Sequence, residues 1–221
     1  MLYIVSTPIG NLKDISLRAL ETLKQVDLIA AEDTRHTRTL LSHYAIHKPL
    51  TSYFEHNKII KAAYLVRLLK EGKQIALVTD SGTPGISDPG YRLIQLAIQE
   101  QIPITAAPGP SALICALSLA GAPTDRFIFE GYLPIKTGAR KRRLEEVVAE
   151  KRTVVFYESP HRILKSLQDI EQVFGARPIV VLRELTKKFE EILRGSPREL
   201  YEYFQSHKAR GEFVIVIKAQ S

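Results

Sequence analysis

The second predicted strand, Asp27–Ala31, is followed at once by the polar run Glu32-Asp-Thr-Arg-His36. A carboxylate can take a proton from a weakly acidic group, and a nearby guanidinium can hold the resulting anion or a phosphate. The alternative is that these side chains are solvated or form a structural ion pair, as charged residues at strand ends usually do. Glu32, Asp33 and Arg35 are therefore candidates for a catalytic or substrate-binding role.

A long loop, Thr79–Gly90, has the sequence TDSGTPGISDPG and directly follows an apolar run. Its length exceeds the roughly 2–6 residues of most strand-to-helix connections, which favours ligand binding over a plain turn. Its glycines let backbone amides approach a ligand closely, and its hydroxyl side chains add hydrogen-bonding groups. The loops Thr7–Asn11 and Ala107–Ser111 follow two other predicted strands. Because ligands bind beyond the carboxyl ends of parallel strands, the three loops predict one shared cleft.

The basic segment, Lys136–Arg143, carries five cations in eight positions. It lies at the start of a predicted helix, where cations oppose the helix dipole. A solvated helix end is one explanation, and contact with phosphates is the one we favour. We expect Arg35, Arg38 and Lys48 to extend the basic surface. The predicted phosphate-binding side chains of the basic segment are Arg140, Lys141, Arg142 and Arg143.

The segment Phe156–Arg162, with the sequence FYESPHR, leaves a predicted strand and enters a helix. Tyr157 offers a flat face for an adenine or another base. Glu158 and His161 are titratable and close in sequence, so they are candidates for proton transfer and for holding an oxygen or phosphate. The alternative is a turn that only caps the helix.

The 221 residues have a net charge of +7, which favours an anionic partner, nucleic acid first. The single cysteine, Cys115, excludes a disulfide framework and a multi-cysteine zinc site. His43 and His47 have no evident third ligand, so we expect no metal. The glycine spacing matches neither GxxxxGK[ST] nor GxGxxG, and GxSxG is absent. With no apolar run of membrane-spanning length and no basic region before the N-terminal apolar stretch, we expect a soluble cytoplasmic protein.

Apolar runs typical of strands alternate with segments of helical period along the first half of the chain, which predicts parallel strands joined by crossover helices. In the second half, two late strand-like runs have no obvious helix between them, which predicts a mixed sheet. We therefore expect an α/β protein of two lobes, residues 1–110 and 111–221.

Eight stretches together resemble the ribosomal RNA small subunit methyltransferase I family, a branch of the tetrapyrrole methylase superfamily. They span almost the whole chain in order and are TPIGNLKDIS, AAEDTRHT, VTDSGTPGISDPG, APGPSA, FEGYLP, FYESPHR, RELTKKFEE and GEFVIVI. The superfamily's S-G-D-P loop corresponds to Ser81–Pro84, with Thr83 in place of the aspartate, and this departure weakens a tetrapyrrole interpretation. Family members typically continue into a small C-terminal domain, so a chain ending at Ser221 is expected to be truncated or a short member.

The resemblance implies a tetrapyrrole-methylase-like fold with S-adenosylmethionine in a cleft between the lobes, and a homodimer. It implies methyl transfer to the ribose 2′-OH of a cytidine in the decoding region of 16S rRNA, in the small ribosomal subunit. On this basis Glu32, Asp33 and Glu158 are candidates for the general base, and Arg35 or His161 for holding the oxygen or a phosphate. The predicted cofactor contacts are Pro8, Asp80, Ser81, Gly82, Ile86, Ser111, Tyr157 and Phe213.

Two alternatives stay open from the sequence. A tetrapyrrole C-methyltransferase would share the fold and the cofactor but take an anionic porphyrinoid. A non-catalytic RNA-binding factor for ribosome assembly would keep the basic segment without needing three converging loops.

Overall fold

The computed structural model describes residues 1–218, and the chain forms two compact units that divide after Ser111. The first unit contains a parallel sheet of five strands in the order β3-β2-β4-β1-β5. Its strands are β1 (Leu2–Val5), β2 (Leu28–Ala31), β3 (Leu50–Ser52), β4 (Ile75–Val78) and β5 (Ile104–Ala107).

Helices cover both faces of this parallel sheet. Side chains of α1 (Leu17–Gln25) and α2 (Thr34–His43) form one core with alternate strand residues such as Ala76 and Val78. Side chains of α3 (Lys58–Lys70) and α4 (Tyr91–Gln99) form the other core with the strand residues between them. The chain therefore leaves β1 toward one face and β4 toward the other, although these two strands are neighbours.

This reversal between β1 and β4 is a topological switch point, the place where open parallel sheets bind ligands. The register places Leu2 beside Ile75 and Ile4 beside Leu77, so β1 and β4 end side by side. Both are fully or almost fully buried along their length. The loops that follow them consequently start at the same point of the sheet.

The second unit contains a mixed sheet of five strands in the order β6-β7-β10-β8-β9. β6 and β7 are parallel, and the remaining neighbours are antiparallel. Its strands are β6 (Phe127–Tyr132), β7 (Thr153–Glu158), β8 (Ile179–Arg183), β9 (Glu191–Gly195) and β10 (Phe213–Ile217).

Three helices pack on one face of the mixed sheet, and one packs on the other. The first three are α6 (Thr137–Val147), α7 (Ile163–Phe174) and α8 (Pro197–Ser206), whose apolar residues share a core with Phe156 and Ile215. The helix α5 (Ala112–Ala120) contacts β8 and β10. α8 begins with a capping box in which Ser196 and Glu199 satisfy each other's backbone N–H groups.

The predicted fold class, an α/β protein with a parallel first sheet and a mixed second sheet, is confirmed. The edge strand β3 was absent from the sequence-based prediction because it has only three residues and directly follows Pro49. No helix within residues 1–218 is long and apolar enough to cross a bilayer.

Candidate active site

The loops after β1 and β4 are tied together by paired backbone hydrogen bonds. The Thr7 N–H donates to the Gly82 carbonyl at 2.9 Å, and the Gly82 N–H donates to the Thr7 carbonyl at 3.0 Å. Gly82 has a φ of +83°, a left-handed conformation in which a side chain would be strained. The Thr7 hydroxyl also donates to the Thr79 carbonyl at 3.1 Å. The long loop is thereby fixed over the end of β1.

The loop after β5 lies against the other two. A Cβ added to Gly109 would lie 3.0 Å from the Ser6 Cβ, so the close approach needs glycine. The Ser6 and Thr83 hydroxyls are 2.8 Å apart. A Cβ on Gly90 would lie 2.8 Å from the Gly85 nitrogen, so glycine is also required where the long loop folds back on itself. We call Thr7–Asn11, Thr79–Gly90 and Ala107–Ser111 the loop cluster.

Three carboxylates gather beside this cluster, at the ends of β2 and β4. Glu32 accepts a hydrogen bond from the Thr79 hydroxyl at 2.6 Å and one from the Asp80 N–H at 3.4 Å, both on Oε2. Asp80 accepts the Asp33 N–H at 3.0 Å. Burial raises the pKa of Asp80, the hydrogen bond from Asp33 opposes that rise, and the nearby charge of Glu32 adds to it.

Asp33 has a different environment from Glu32. It caps α2 by accepting the Arg35 N–H at 2.8 Å, and its two oxygens accept the Arg35 guanidinium at 3.2 and 2.7 Å. These side-chain hydrogen bonds hold the pKa of Asp33 well below its usual range. The ion pair is open to solvent, with 87% of the Arg35 side chain exposed. Asp33 thus caps α2 and fixes the position of the Arg35 guanidinium.

Glu32 is the carboxylate best placed to take a proton. Within residues 1–218 its Oε1 accepts no hydrogen bond, while its Oε2 is held by Thr79 and Asp80. Both oxygens of Asp33 are already occupied by Arg35. Sequence analysis proposed both carboxylates but did not single out Thr79. The available signal was a hydroxyl directly after a buried strand and level with a carboxylate on the neighbouring strand.

The other predicted contacts of the first unit differ in accessibility. Ser81 is exposed and Ile86 is 46% exposed, so both side chains can reach a ligand. Pro8 is buried, and Ser111 is half-buried where the first unit ends.

In the second unit, Glu158 is buried and fully partnered. Its Oε1 accepts the Ser159 N–H at 2.7 Å and pairs with Arg162 at 2.8 Å, while its Oε2 accepts the Ser166 hydroxyl at 2.5 Å. Only 1% of Glu158 is exposed. This corrects its prediction as a general base, because it holds the start of α7 to the end of β7. His161, in the same turn, is exposed.

Tyr157 and Phe213 end on opposite sides of the mixed sheet. The Tyr157 hydroxyl accepts the Leu113 N–H at 3.1 Å, and its ring packs edge-on against Phe129 at 4.8 Å. The Phe213 ring is buried in the core, edge-on to Phe204 at 5.4 Å. The predicted cofactor contact at Phe213 is thus left to the backbone of this segment, because the ring is enclosed in the core. Tyr157 keeps a half-buried ring.

The basic segment separates into one buried cation and three more accessible ones. Arg140 is 2% exposed, and its guanidinium binds Asp169 at 2.7 Å and the carbonyl of Ile135 at 3.0 Å. Its predicted contact with phosphate is therefore corrected. The signal for its burial was present, because Arg140 and Leu144 share a helix face four residues apart. Lys141 is half-buried, and Arg142 and Arg143 are exposed.

No cluster of three or more potential metal ligands occurs among residues 1–218.

Comparison with known proteins gives one family and a consistent group of relatives. The model of the Tetrapyrrole (Corrin/Porphyrin) Methylases matches residues 1–201. Ribosomal RNA small subunit methyltransferase I of Haemophilus influenzae is 49% identical over 100% of this chain and 79% of its own length. The protein of the same name from Thermotoga maritima is 47% identical over 99% of this chain and 98% of its own length.

Solved structures share the fold at low identity. Cobalt precorrin-4 methyltransferase, a cobalamin biosynthetic enzyme, has a TM-score of 0.72 and 20% identity, over 98% of this chain and 94% of that one. A diphthine synthase has a TM-score of 0.72 and 13% identity, over 100% of this chain and 90% of that one. These structures support the architecture alone.

Proposed function

We propose that this chain, which belongs to the ribosomal RNA small subunit methyltransferase I family of the tetrapyrrole methylases, is an S-adenosylmethionine-dependent rRNA methyltransferase. Its proposed product is a 2′-O-methylated cytidine in the decoding region of 16S rRNA. The observation that carries the proposal is the identity of 46–50% to relatives of that name over 98–100% of this chain. The loop cluster at the switch point supports it as a ligand site.

The residues of the loop cluster fit the proposed cofactor. The close packing at Gly109 and Gly90 leaves no space for a Cβ, so the loops are held in fixed positions around the polar side chains of the long loop. The Asp80 carboxylate suits the ammonium of the cofactor, and the exposed Ser81 hydroxyl suits its carboxylate. The exposed Ile86 suits the apolar face of the adenosine. When bound, S-adenosylmethionine supplies an electrophilic methyl group on its sulfonium sulfur.

Removal of the ribose proton is the task left to the protein. A 2′-hydroxyl is far too weak an acid to ionise at neutral pH without help, so a positioned base is needed. Glu32 fits this role because Thr79 and Asp80 hold one of its oxygens and leave Oε1 open. In the proposed reaction Glu32 would take the proton of the 2′-hydroxyl, and S-adenosylmethionine would supply the methyl group to that oxygen. The products are the methylated ribose and a neutral thioether.

Arg35 is proposed to hold the substrate oxygen or an adjacent phosphate. Its guanidinium is largely exposed, and Asp33 fixes its direction through two side-chain hydrogen bonds. Asp33 then acts as a positioning residue. This assignment replaces a direct role for Asp33 as the base.

The proposed partner is the 30S subunit, which we expect the protein to meet in the cytoplasm as a homodimer. The side chains proposed to contact the RNA are those of Arg38, Lys141, Arg142, Arg143 and His161. Because pairing of these cations with phosphates releases counterions from the RNA, the affinity for 30S subunits should fall as the salt concentration rises.

A tetrapyrrole C-methyltransferase is the second candidate, favoured by the fold that the cobalt precorrin-4 enzyme shares. The identity to that enzyme is 20%, against 49% to the ribosomal relative from Haemophilus influenzae. A spectral titration with uroporphyrinogen separates the two, since only a tetrapyrrole enzyme should give a saturable change.

The direct experiment uses methyl-labelled S-adenosylmethionine with hypomethylated 30S subunits, followed by mapping of the label. We expect label on one cytidine ribose of 16S rRNA, and none on fully methylated subunits. Label on a base, or on another molecule, would overturn the proposed acceptor. Absence of cofactor binding would favour a non-catalytic RNA-binding factor.

A further inference from the structure

A cavity of about 510 Å³ lies in the first unit between α2 and the edge strand β3. We call it the α2–β3 pocket. One part of its lining is cationic or polar and the rest is apolar. Arg38, His47 and Lys48 belong to the polar part, and Pro49 and Leu50 to the accessible apolar part.

The cations of the α2–β3 pocket have no anionic partner in the protein. Within residues 1–218, Arg38 and Lys48 form no ion pair, and neither side chain makes a hydrogen bond to the protein. Arg38 is exposed, whereas Lys48 is half-buried. By contrast, Arg35, Lys58 and Lys70 each pair with a carboxylate. A partly buried, unpaired cation favours binding of an anion, which would restore the lost solvation.

The pocket is continuous in sequence and helix face with the candidate active site. α2 starts beside the carboxylates, and Arg35 and Arg38 are three residues apart, so they lie on the same side of the helix. A polyanion held by Arg35 can therefore continue along α2 to Arg38 and Lys48. A linear polyanion suits this row better than a single small ion.

The apolar part of the lining further restricts the ligand. Pro49 is exposed and Leu50 is half-buried, so a sugar or base would cover apolar surface that inorganic phosphate would leave in water. The volume falls within the roughly 300–1,000 Å³ of ordinary ligand pockets, which is enough for one nucleotide.

We propose that the α2–β3 pocket binds a nucleotide of the substrate RNA outside the methylated residue. Its phosphodiester lies on Arg38 and Lys48, and its sugar or base lies on the apolar wall. The proposal rests on the proposed rRNA substrate and adds a second RNA contact to it. The pocket then contributes to RNA affinity and position, and not to the chemical step.

The test compares two double variants that each remove two positive charges. Arg38→Ala/Lys48→Ala removes the positive side-chain charges of the pocket. Arg67→Ala/Lys70→Ala removes two from α3, on the opposite face of the sheet. Binding to hypomethylated 30S subunits is measured over a range of KCl concentrations. The pocket variant should bind about 10-fold or more weakly near physiological salt, with a salt slope smaller by roughly 1–2. The α3 variant should bind like the wild type.

A charge-preserving variant and a kinetic readout complete the test. Arg38→Lys/Lys48→Arg should keep the wild-type salt slope. In methyl transfer, the pocket variant should raise KM for 30S subunits and leave kcat within about 2-fold, because binding alone is lost. Thermal melts that match the wild type exclude unfolding as the cause.

Each remaining outcome has a defined meaning. Equal losses in the two double variants, or wild-type binding by the pocket variant, would overturn the proposal. If inorganic phosphate raises the Tm of the wild type only, and 30S binding is unchanged in the pocket variant, the pocket is a small-anion site and the RNA proposal is overturned. If the wild type binds 30S subunits with the expected slope difference but transfers no methyl group, the proposed enzymatic function fails while the pocket proposal stands.

Discussion

A carboxylate and a nearby arginine form an ion pair in each unit, but the two pairs differ in burial. Asp33 and Arg35 are open to solvent beside the loop cluster. Glu158 and Arg162 are enclosed at the end of the mixed sheet, with no measurable exposure of the Glu158 side chain. The same residue types therefore leave an accessible guanidinium in the first unit and form a buried ion pair in the second.

The energetic consequence of burial follows from solvation. An exposed ion pair gains little, because water competes for both charges. Removing one partner of a buried pair leaves an uncompensated charge and costs about 3–5 kcal/mol. Arg140 with Asp169 is the second buried pair of the mixed-sheet unit, with side-chain exposures of 2% and 7%. Substitutions in the two units should accordingly affect different properties.

The largest expected effect on stability is at Arg140. Arg140→Ala should lower the free energy of unfolding by about 3 kcal/mol, because Asp169 is left buried with Lys141, at 3.8 Å, as its remaining ion-pair partner. Arg142→Ala, on the exposed side of the same helix, should change it by no more than about 0.5 kcal/mol. Urea denaturation measures both. Equal effects would show that burial does not separate these two arginines.

A smaller effect, on turnover, is expected at Asp33. Asp33→Ala frees the Arg35 guanidinium and should reduce methyl transfer about 10- to 100-fold through misplacement of the substrate, while cofactor binding is spared. Asp33→Asn keeps an acceptor for the helix cap but loses the charge, so it should recover the Tm and only part of the activity. Unchanged turnover in Asp33→Ala would remove Asp33 and its hold on Arg35 from the mechanism.

The smallest effect is expected at Asp80. Burial raises its pKa, so the neutral carboxyl favours the folded state, and this contribution is lost as pH rises through the folded-state pKa. Asp80→Asn should therefore raise the Tm at pH 7 by about 1–3 °C, and by less at pH 3. Asp14→Asn, at an exposed turn, should change the Tm at neither pH. A lower Tm for Asp80→Asn at pH 7 would contradict the assigned cause of the pKa shift.

The loop cluster was predictable because its signals are local. Glycines and hydroxyl side chains follow apolar strands, and the alternation of strands and helices makes those strands parallel. The strand β3 was not predictable, because three residues after Pro49 carry too little pattern and pair only through tertiary contact with β2.

Burial of charge was the other failure of sequence reasoning. Arg140 stands in a run of cations, and its partner Asp169 is 29 residues away on another helix. Glu158 is the last residue of an apolar strand, and Arg162 and Ser166, at the start of α7, enclose its carboxylate. A partner as distant in sequence as Asp169 leaves no local signal, although the spacing of Arg140 and Leu144 already places both on one face of the helix.

The most direct test of this account compares Glu32→Gln with Glu158→Gln. The two substitutions are matched, since each glutamate accepts a hydroxyl hydrogen bond, from Thr79 at 2.6 Å and from Ser166 at 2.5 Å. Methyl transfer to 30S subunits is measured per folded molecule, alongside the Tm. We predict that Glu32→Gln lowers turnover by about 10²- to 10⁴-fold at an unchanged Tm. Glu158→Gln should lower the Tm and leave the rate per folded molecule unchanged. Normal turnover in Glu32→Gln, with turnover abolished in folded Glu158→Gln, would contradict the assignment of the chemistry to the parallel sheet.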